Sequence, residues 1–190
     1  MAVQTVFKRY ELKYLLTQVQ KETVLATMQP YMTLDKYGRT TIRNLYYDTD
    51  TYLLIRRSIE KPAYKEKLRL RSYSRVETDS TAFVELKKKY KSVVYKRRIS
   101  LPYAEATAWL SREKHPDKHT QIANEIDYFL DYYGSLHPTV FLSYEREAYY
   151  ANDSSDFRVT FDDNILCRQE DLSLGSEVYG TPIWPERKVL

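Results

Sequence analysis

The stretch KLRLRSY, residues 67–73, sets Lys67, Arg69 and Arg71 at alternate positions, with Leu68 and Leu70 between them. Successive side chains of an extended strand point to opposite faces, so this segment predicts a leucine face and a face of three cations. Such a cationic face meets either water or something negative. The same alternation recurs along the chain. FVELKKK (83–89) puts Phe83, Glu85, Lys87 and Lys89 on one parity and Val84, Leu86 and Lys88 on the other. VYKRRISL (94–101) puts Lys96 and Arg98 on the face of Ser100, and FKRYELKY (7–14) aligns Arg9, Glu11 and Lys13 against Tyr10, Leu12 and Tyr14. LSYEREAY (142–149) places Arg146 between Tyr144 and Ala148, and DFRVTFDDN (156–164) sets Arg158, Thr160 and Asp162 against Phe157, Val159 and Phe161.

Six such segments must share a sheet, and two arrangements fit them. An open sheet would bury its leucines under helices and leave its cations to solvent. A closed barrel would turn the cations inward, where two like charges about 4 Å apart repel by roughly 4 kcal/mol at an effective dielectric near 20. Only a polyanionic ligand makes that second arrangement useful, and barrels with polar interiors do serve as ligand vessels. Glu11, Glu85 and Asp162 lie among the cations on these faces. That mixture suits a metal ion bridging acidic side chains and phosphate oxygens.

The remaining composition narrows the class. A chain of 190 residues with 43% hydrophobic content supports one globular domain with its own core. Lys and Arg number 30 against 26 Asp and Glu, so charge placement matters more than the total. The single cysteine, Cys167, rules out an internal disulfide framework and a multi-cysteine zinc site, and reads as a small buried hydrophobe. No stretch approaches the roughly 18 apolar residues of a membrane span and no signal-peptide core opens the chain, so a soluble, cytoplasmic protein is expected. His115, His119 and His137 have no metal-ligand spacing and read as loop residues. Among 19 tyrosines, Tyr46, Tyr47, Tyr144, Tyr149 and Tyr150 fall in strands, where core packing is the expected role, with a few free to stack on a base. For Lys88, Lys89 and Lys91 a solvated strand end is the lesser of two readings, and parity exempts Lys87 from it.

Helical signals fill the gaps. Thr17 with Gln20 forms a capping-box pattern opening a helix through Met28, ended by Pro30. Residues 40–49 read as a strand, 50–59 as a short helical turn, 60–64 as a hairpin connection and 75–81 as a polar loop. Pro102 opens a helix to about Lys114, and a second covers Gln121 to Tyr133, stopped by Gly134. Residues 151–156 form a hairpin turn. The predicted fold is α+β, an antiparallel sheet of at least six strands with two or three helices, in a single domain over 1–190.

Taken in order, RYELKY, NLYYDT, KLRLRSY, VELKKK, SYEREAY and FRVTFDDN resemble the VTC (vacuolar transporter chaperone) domain, the polyphosphate polymerase branch of the triphosphate tunnel metalloenzymes related to CYTH domains. The resemblance spans nearly the whole chain. It implies an antiparallel β-barrel, a triphosphate tunnel with a basic interior and a few flanking helices. It also implies transfer of the terminal phosphoryl group of a nucleoside triphosphate onto polyphosphate, with Mn²⁺ or Mg²⁺ as cofactor. Carried over by motif, the phosphate-binding and catalytic residues are Lys13, Arg69, Arg71, Lys87, Arg146 and Arg158, with Arg98 as a further phosphate ligand, while Glu11, Glu85 and Asp162 are the candidate metal ligands. Phosphoryl transfer asks chiefly for positioning and charge neutralisation, which arginine forks and lysine point charges supply.

The pattern departs from the family in two places. The wider superfamily begins Glu-x-Glu-x-Lys, whereas this chain has Arg9 in the first acidic position. Its sequence stops at Leu190, and Glu186 precedes the final strand in which the family places a metal-binding Glu, so a domain lacking its last strand is expected. A catalytically silent polyphosphate- or triphosphate-binding module is therefore the alternative reading. A nucleic-acid-binding sheet is disfavoured by the acids among its contact cations, and a membrane partner that exports the product is compatible with the family.

Overall fold

The computed structural model describes residues 5–117, 120–153, 155–184 and 187–190. His119 and Glu186 lie outside them. The strands are β1 (Val6–Tyr10), β2 (Met32–Leu34), β3 (Thr40–Asp48), β4 (Tyr64–Ser72), β5 (Thr81–Tyr90), β6 (Val93–Pro102), β7 (His137–Ala151), β8 (Arg158–Arg168) and β9 (Thr181–Pro182). The helices are α1 (Gln18–Met28), α2 (Leu53–Ile59), α3 (Tyr103–Leu110) and α4 (Gln121–Tyr133). All strand pairs are antiparallel, in the order β1-β6-β5-β4-β3-β7-β8-β9, with β2 added beside β7.

The alternation decides which face is the core. Leu68 and Leu70 of β4, Val84 and Leu86 of β5, and Ile99 and Leu101 of β6 join Leu45, Tyr47 and Phe141 in one cluster. Trp109 and Leu110 of α3 and Ile126, Phe129 and Leu130 of α4 cover them. Each fully buried Leu or Phe contributes about 1.5–3 kcal/mol of hydrophobic stabilisation, so this layer holds the helices on the sheet. A smaller cluster seats Met28 of α1 and Met32 against Phe161 of β8 and Val189.

Local chemistry fixes the helix ends. The Thr17 hydroxyl accepts the Gln20 N–H while the Gln20 side chain accepts the Thr17 N–H, completing the expected capping box. Buried Asp48 caps α2 from the end of β3, accepting N–H groups of Leu54 and Ile55. Helix α4 runs over the expected residues and stops at Gly134, whose φ of 70° a side chain would strain. Helix α3 is shorter than expected, closing at Ser111, after which Arg112 takes a left-handed φ of 66°.

The arginines on the core face act as loop staples. Arg43 donates to the carbonyls of Leu174 and Ser176. Arg168 donates to the carbonyls of Glu170, Asp171, Glu177 and Tyr179 and lies 3.7 Å from the centroid of Phe141. Together they hold the 169–179 loop onto the sheet.

The expected barrel does not close. Leu16 pairs with Val189, and Leu190 exchanges both backbone hydrogen bonds with Asp162 of β8, so among the described residues Val189 and Leu190 bridge the segment after β1 to β8. The sheet is curled and open. The expected strand over 7–14 is also cut short at Tyr10, because its partner β6 begins at Val93, opposite Tyr10, and no neighbour among the described residues continues the ladder. No helix of the described residues is long and apolar enough to cross a membrane.

A side-chain network ties α3 to α4. The Asp127 carboxylate accepts the Trp109 indole N–H at 2.8 Å and contacts His115 Nε2 at 2.6 Å. The bond to Asp127 raises the His115 pKa above its ordinary value near 6.5. A raised folded-state pKa contributes stability that is complete below the unfolded value and fades as pH rises through the folded one. Thermal melts of wild type and His115→Ala from pH 5 to 9 should differ most below pH 6.5 and converge above it.

Candidate phosphate-binding site

The opposite parity of the same strands builds a charged face, and the ladder register sorts it into rows. Lys67 of β4 stands opposite Lys87 of β5, which stands opposite Lys96 of β6. In the next row Tyr46, Arg69, Glu85 and Arg98 follow one another across β3, β4, β5 and β6. Beyond it lie Asn44, Arg71, Phe83 and Ser100.

Glu85 is the centre of this face and is fully buried. One oxygen accepts Arg98 Nε at 2.7 Å and Nη2 at 2.5 Å, with Lys96 Nζ at 3.4 Å. The other accepts Arg69 Nε at 2.7 Å and Nη2 at 2.6 Å, with Arg71 Nε at 3.9 Å. Burial alone would favour the neutral acid, but the arginines and Lys96 hold its pKa well below the usual carboxylate range. In return Glu85 overcomes the burial of Arg69 and Arg98 and raises both.

Neutral side chains orient the guanidinium groups. Arg69 Nη1 donates to the Tyr46 hydroxyl at 3.1 Å, Arg98 Nη2 to Tyr73 at 2.6 Å and Arg71 Nη2 to Tyr144 at 2.8 Å. Arg71 Nε donates to Asn44 Oδ1 at 2.9 Å. Burial pushes the Tyr46 phenol up, yet Arg69 and Arg71 outweigh it and bring its pKa down to about 8.

The other expected residues form two flanks. Arg146 grips Asp162 with Nε and Nη2, each at 2.6 Å, and senses the charge of Arg69. The Arg158 guanidinium lies 5.0 Å from the Tyr150 ring centroid. Lys87 Nζ meets Glu11 at 2.7 Å, with Lys13 at 3.9 Å on the other Glu11 oxygen. Burial opposes ionisation of Glu11, but Lys87 and Lys13 draw its pKa down.

Arg69, Arg71, Arg98, Lys87 and Glu85 thus stand together, Lys13 and Glu11 lie against them beyond the end of β1, and Arg146 and Asp162 approach from β7 and β8. The motif reading left out Lys67 and Lys96, which parity alone places on this face. It also assigned Tyr46 and Tyr144 to packing, whereas their hydroxyls serve arginines. Nothing in a single strand's sequence signals that; it arises from the cross-strand register.

Glu11, Glu85 and Asp162 do not converge. Among the described residues no group of three or more His, Cys, Asp or Glu is placed to hold a metal ion. A carboxylate offers about four lone-pair sites, and those of Glu85 are filled by two arginines. Glu85 therefore does not fit a protein-held metal, while Glu11 meets Lys87 and Lys13 and Asp162 meets Arg146 as counter-charges.

The protein is thus an α+β protein built on a curled antiparallel sheet with one strongly basic face. The family model described as VTC domain matches residues 8–188, and the chain belongs to that family. Among solved structures it is similar to a putative adenylate cyclase from Bacillus halodurans, with 13% identity, a TM-score of 0.52, and coverage of 98% of this chain and 78% of the other. It is also similar to a putative adenylate cyclase from Vibrio parahaemolyticus, with 12% identity, a TM-score of 0.40, and coverage of 84% and 68% respectively. The first likeness supports the tunnel-type fold. No curated protein matches.

Removing a buried counter-ion leaves its partners uncompensated, at a cost of about 3–5 kcal/mol. Glu85→Ala should lose stability of that order in denaturant unfolding at neutral pH. Because the folded-state pKa of Glu85 is depressed, its contribution is present above the unfolded value near 4.5 and falls only in stronger acid.

Proposed function

We propose that this domain binds the phosphate chain of a nucleoside triphosphate and of polyphosphate on its basic face, and transfers the terminal phosphoryl group of the nucleotide onto the polyphosphate end. The observation that carries the reading is the Arg69–Glu85–Arg98 row, flanked by Arg71, Lys87 and Arg146: several fixed cations on adjacent strands, spaced for successive phosphates. Membership of the VTC family supports the same class of ligand.

In the proposed reaction an oxygen of the polyphosphate end bonds to the terminal phosphorus. The bond to the bridging oxygen of the nucleotide breaks, and the nucleoside diphosphate leaves with that electron pair. Arg69, Arg98 and Arg71 orient and neutralise the transferring group, while Arg146, Arg158, Lys87 and Lys13 hold the flanking phosphates. Stabilisation accelerates the step only where it is greater for the transition state than for the bound chain, and guanidinium groups pinned by Glu85 and the tyrosines need little reorganisation to supply it.

The second reading, a catalytically silent phosphate-chain binder, draws support from the engagement of Glu11, Glu85 and Asp162 by cations. ATP with Mg²⁺ or Mn²⁺ as its counter-ion should yield long-chain polyphosphate resolved on a gel. Binding of tripolyphosphate without any polymer would favour the silent module.

A charge-assisted contact is worth about 1.5–3 kcal/mol, so Arg69→Ala and Arg71→Ala should each weaken tripolyphosphate binding in calorimetry by roughly ten- to a hundredfold. Wild-type affinity in either variant would remove this face from the binding site.

A further inference from the structure

The sheet face that carries the core continues past its leucines into a set of tyrosines. Tyr64 and Glu66 of β4, Lys88 and Tyr90 of β5, and Tyr95 and Arg97 of β6 share the parity of Leu68 and Leu86. Helix α4 sets Tyr128, Tyr132 and Tyr133 beside them. Two adjoining grooves of about 340 and 320 Å³ run here and share Tyr64 and Lys88. Tyr128 and Tyr132 are 69% and 63% exposed and stack with ring centroids 6.2 Å apart, and Tyr132 meets Tyr133 edge-on at 4.9 Å. Clustered exposed rings of this kind mark an interaction surface.

The charge along the groove is unevenly matched. Glu66 accepts the Tyr64 hydroxyl at 2.6 Å on one oxygen and the Tyr133 hydroxyl at 2.7 Å on the other, and Glu125 faces Arg97 at 3.3 Å. Lys88 stands opposite Glu66 in the ladder, yet neither Lys88 nor Arg57, which also lines the groove, forms an ion pair among the described residues. We infer that this groove binds a proline-rich, acidic segment of a partner protein, with its prolines against the tyrosine rings and its carboxylates on Lys88 and Arg57. Aromatic grooves suit such a segment because a polyproline II helix is already extended and loses little entropy on docking. That helix repeats every three residues, so carboxylates at every third position lie on one side of it. The two cations select an acidic segment over a basic one, and Glu66, by holding Tyr64 and Tyr133, reduces the ordering that binding requires. None of these residues lies on the basic face, so the site is independent of the phosphate-chain reading.

Fluorescence anisotropy of a labelled peptide of Glu-Pro-Pro repeats, titrated with the whole chain, tests the site. Wild type should bind the peptide and Lys88→Arg should retain it. Tyr132→Ala and Lys88→Gln should each raise the dissociation constant about tenfold, as loss of an aromatic or charged anchor does, while thermal melts show both variants folded. No binding by wild type, binding that both variants leave unaltered, or a Lys-Pro-Pro peptide bound as tightly would each overturn the proposal. So would a groove that ignores the peptide but holds phosphatidylserine vesicles, or a second copy of the chain in sedimentation, through Tyr132 and Lys88.

Discussion

Glu85 is the constraint around which the charged face is organised. A fully buried carboxylate is costly to desolvate, and its attraction to nearby cations offsets that cost only when its lone pairs are filled with good geometry. Arg69 and Arg98 fill them from the two strands on either side. The ion pairs thus lock β4, β5 and β6 on one face while Leu68, Val84, Leu86 and Ile99 lock them on the other. One acidic residue lets cations stand side by side in the absence of ligand.

Arginine does two kinds of work here, and burial alone does not separate them. Arg43 and Arg168 are as enclosed as Arg71, yet their N–H groups go to loop carbonyls on the core face. Arg69, Arg71 and Arg98 have their orientation fixed by an acid, an amide and phenols on the opposite face. Pinning a guanidinium by one edge reduces the ordering needed when another edge meets phosphate oxygens.

Much of this was legible in the sequence because period-two alternation is local. KLRLR and VELKKK assign their own faces, and the leucines and valines between the cations do form the core beneath α3 and α4. The Thr17–Gln20 cap and the Gly134 stop are equally local. What was not legible depends on partners distant in the chain. Glu85 reads as a metal ligand until Arg69 and Arg98 are seen on the flanking strands. Tyr46 and Tyr144 read as core until the register sets them beside Arg69 and Arg71. The length of β1 is decided at Val93, where β6 begins, and the open sheet edge by a bridge between Leu16 and Val189. Alternation predicts inward-facing cations without saying whether the sheet closes around them.

On the proposed function, Glu85 keeps its arginines while they hold a phosphate chain. A crystal structure of the protein with tripolyphosphate tests it most directly. The predicted result is a chain lying over the Arg69–Glu85–Arg98 row, with both arginines still side-on to Glu85 and their remaining N–H groups on phosphate oxygens. A chain bound elsewhere, or arginines that leave Glu85 to reach it, would contradict the account.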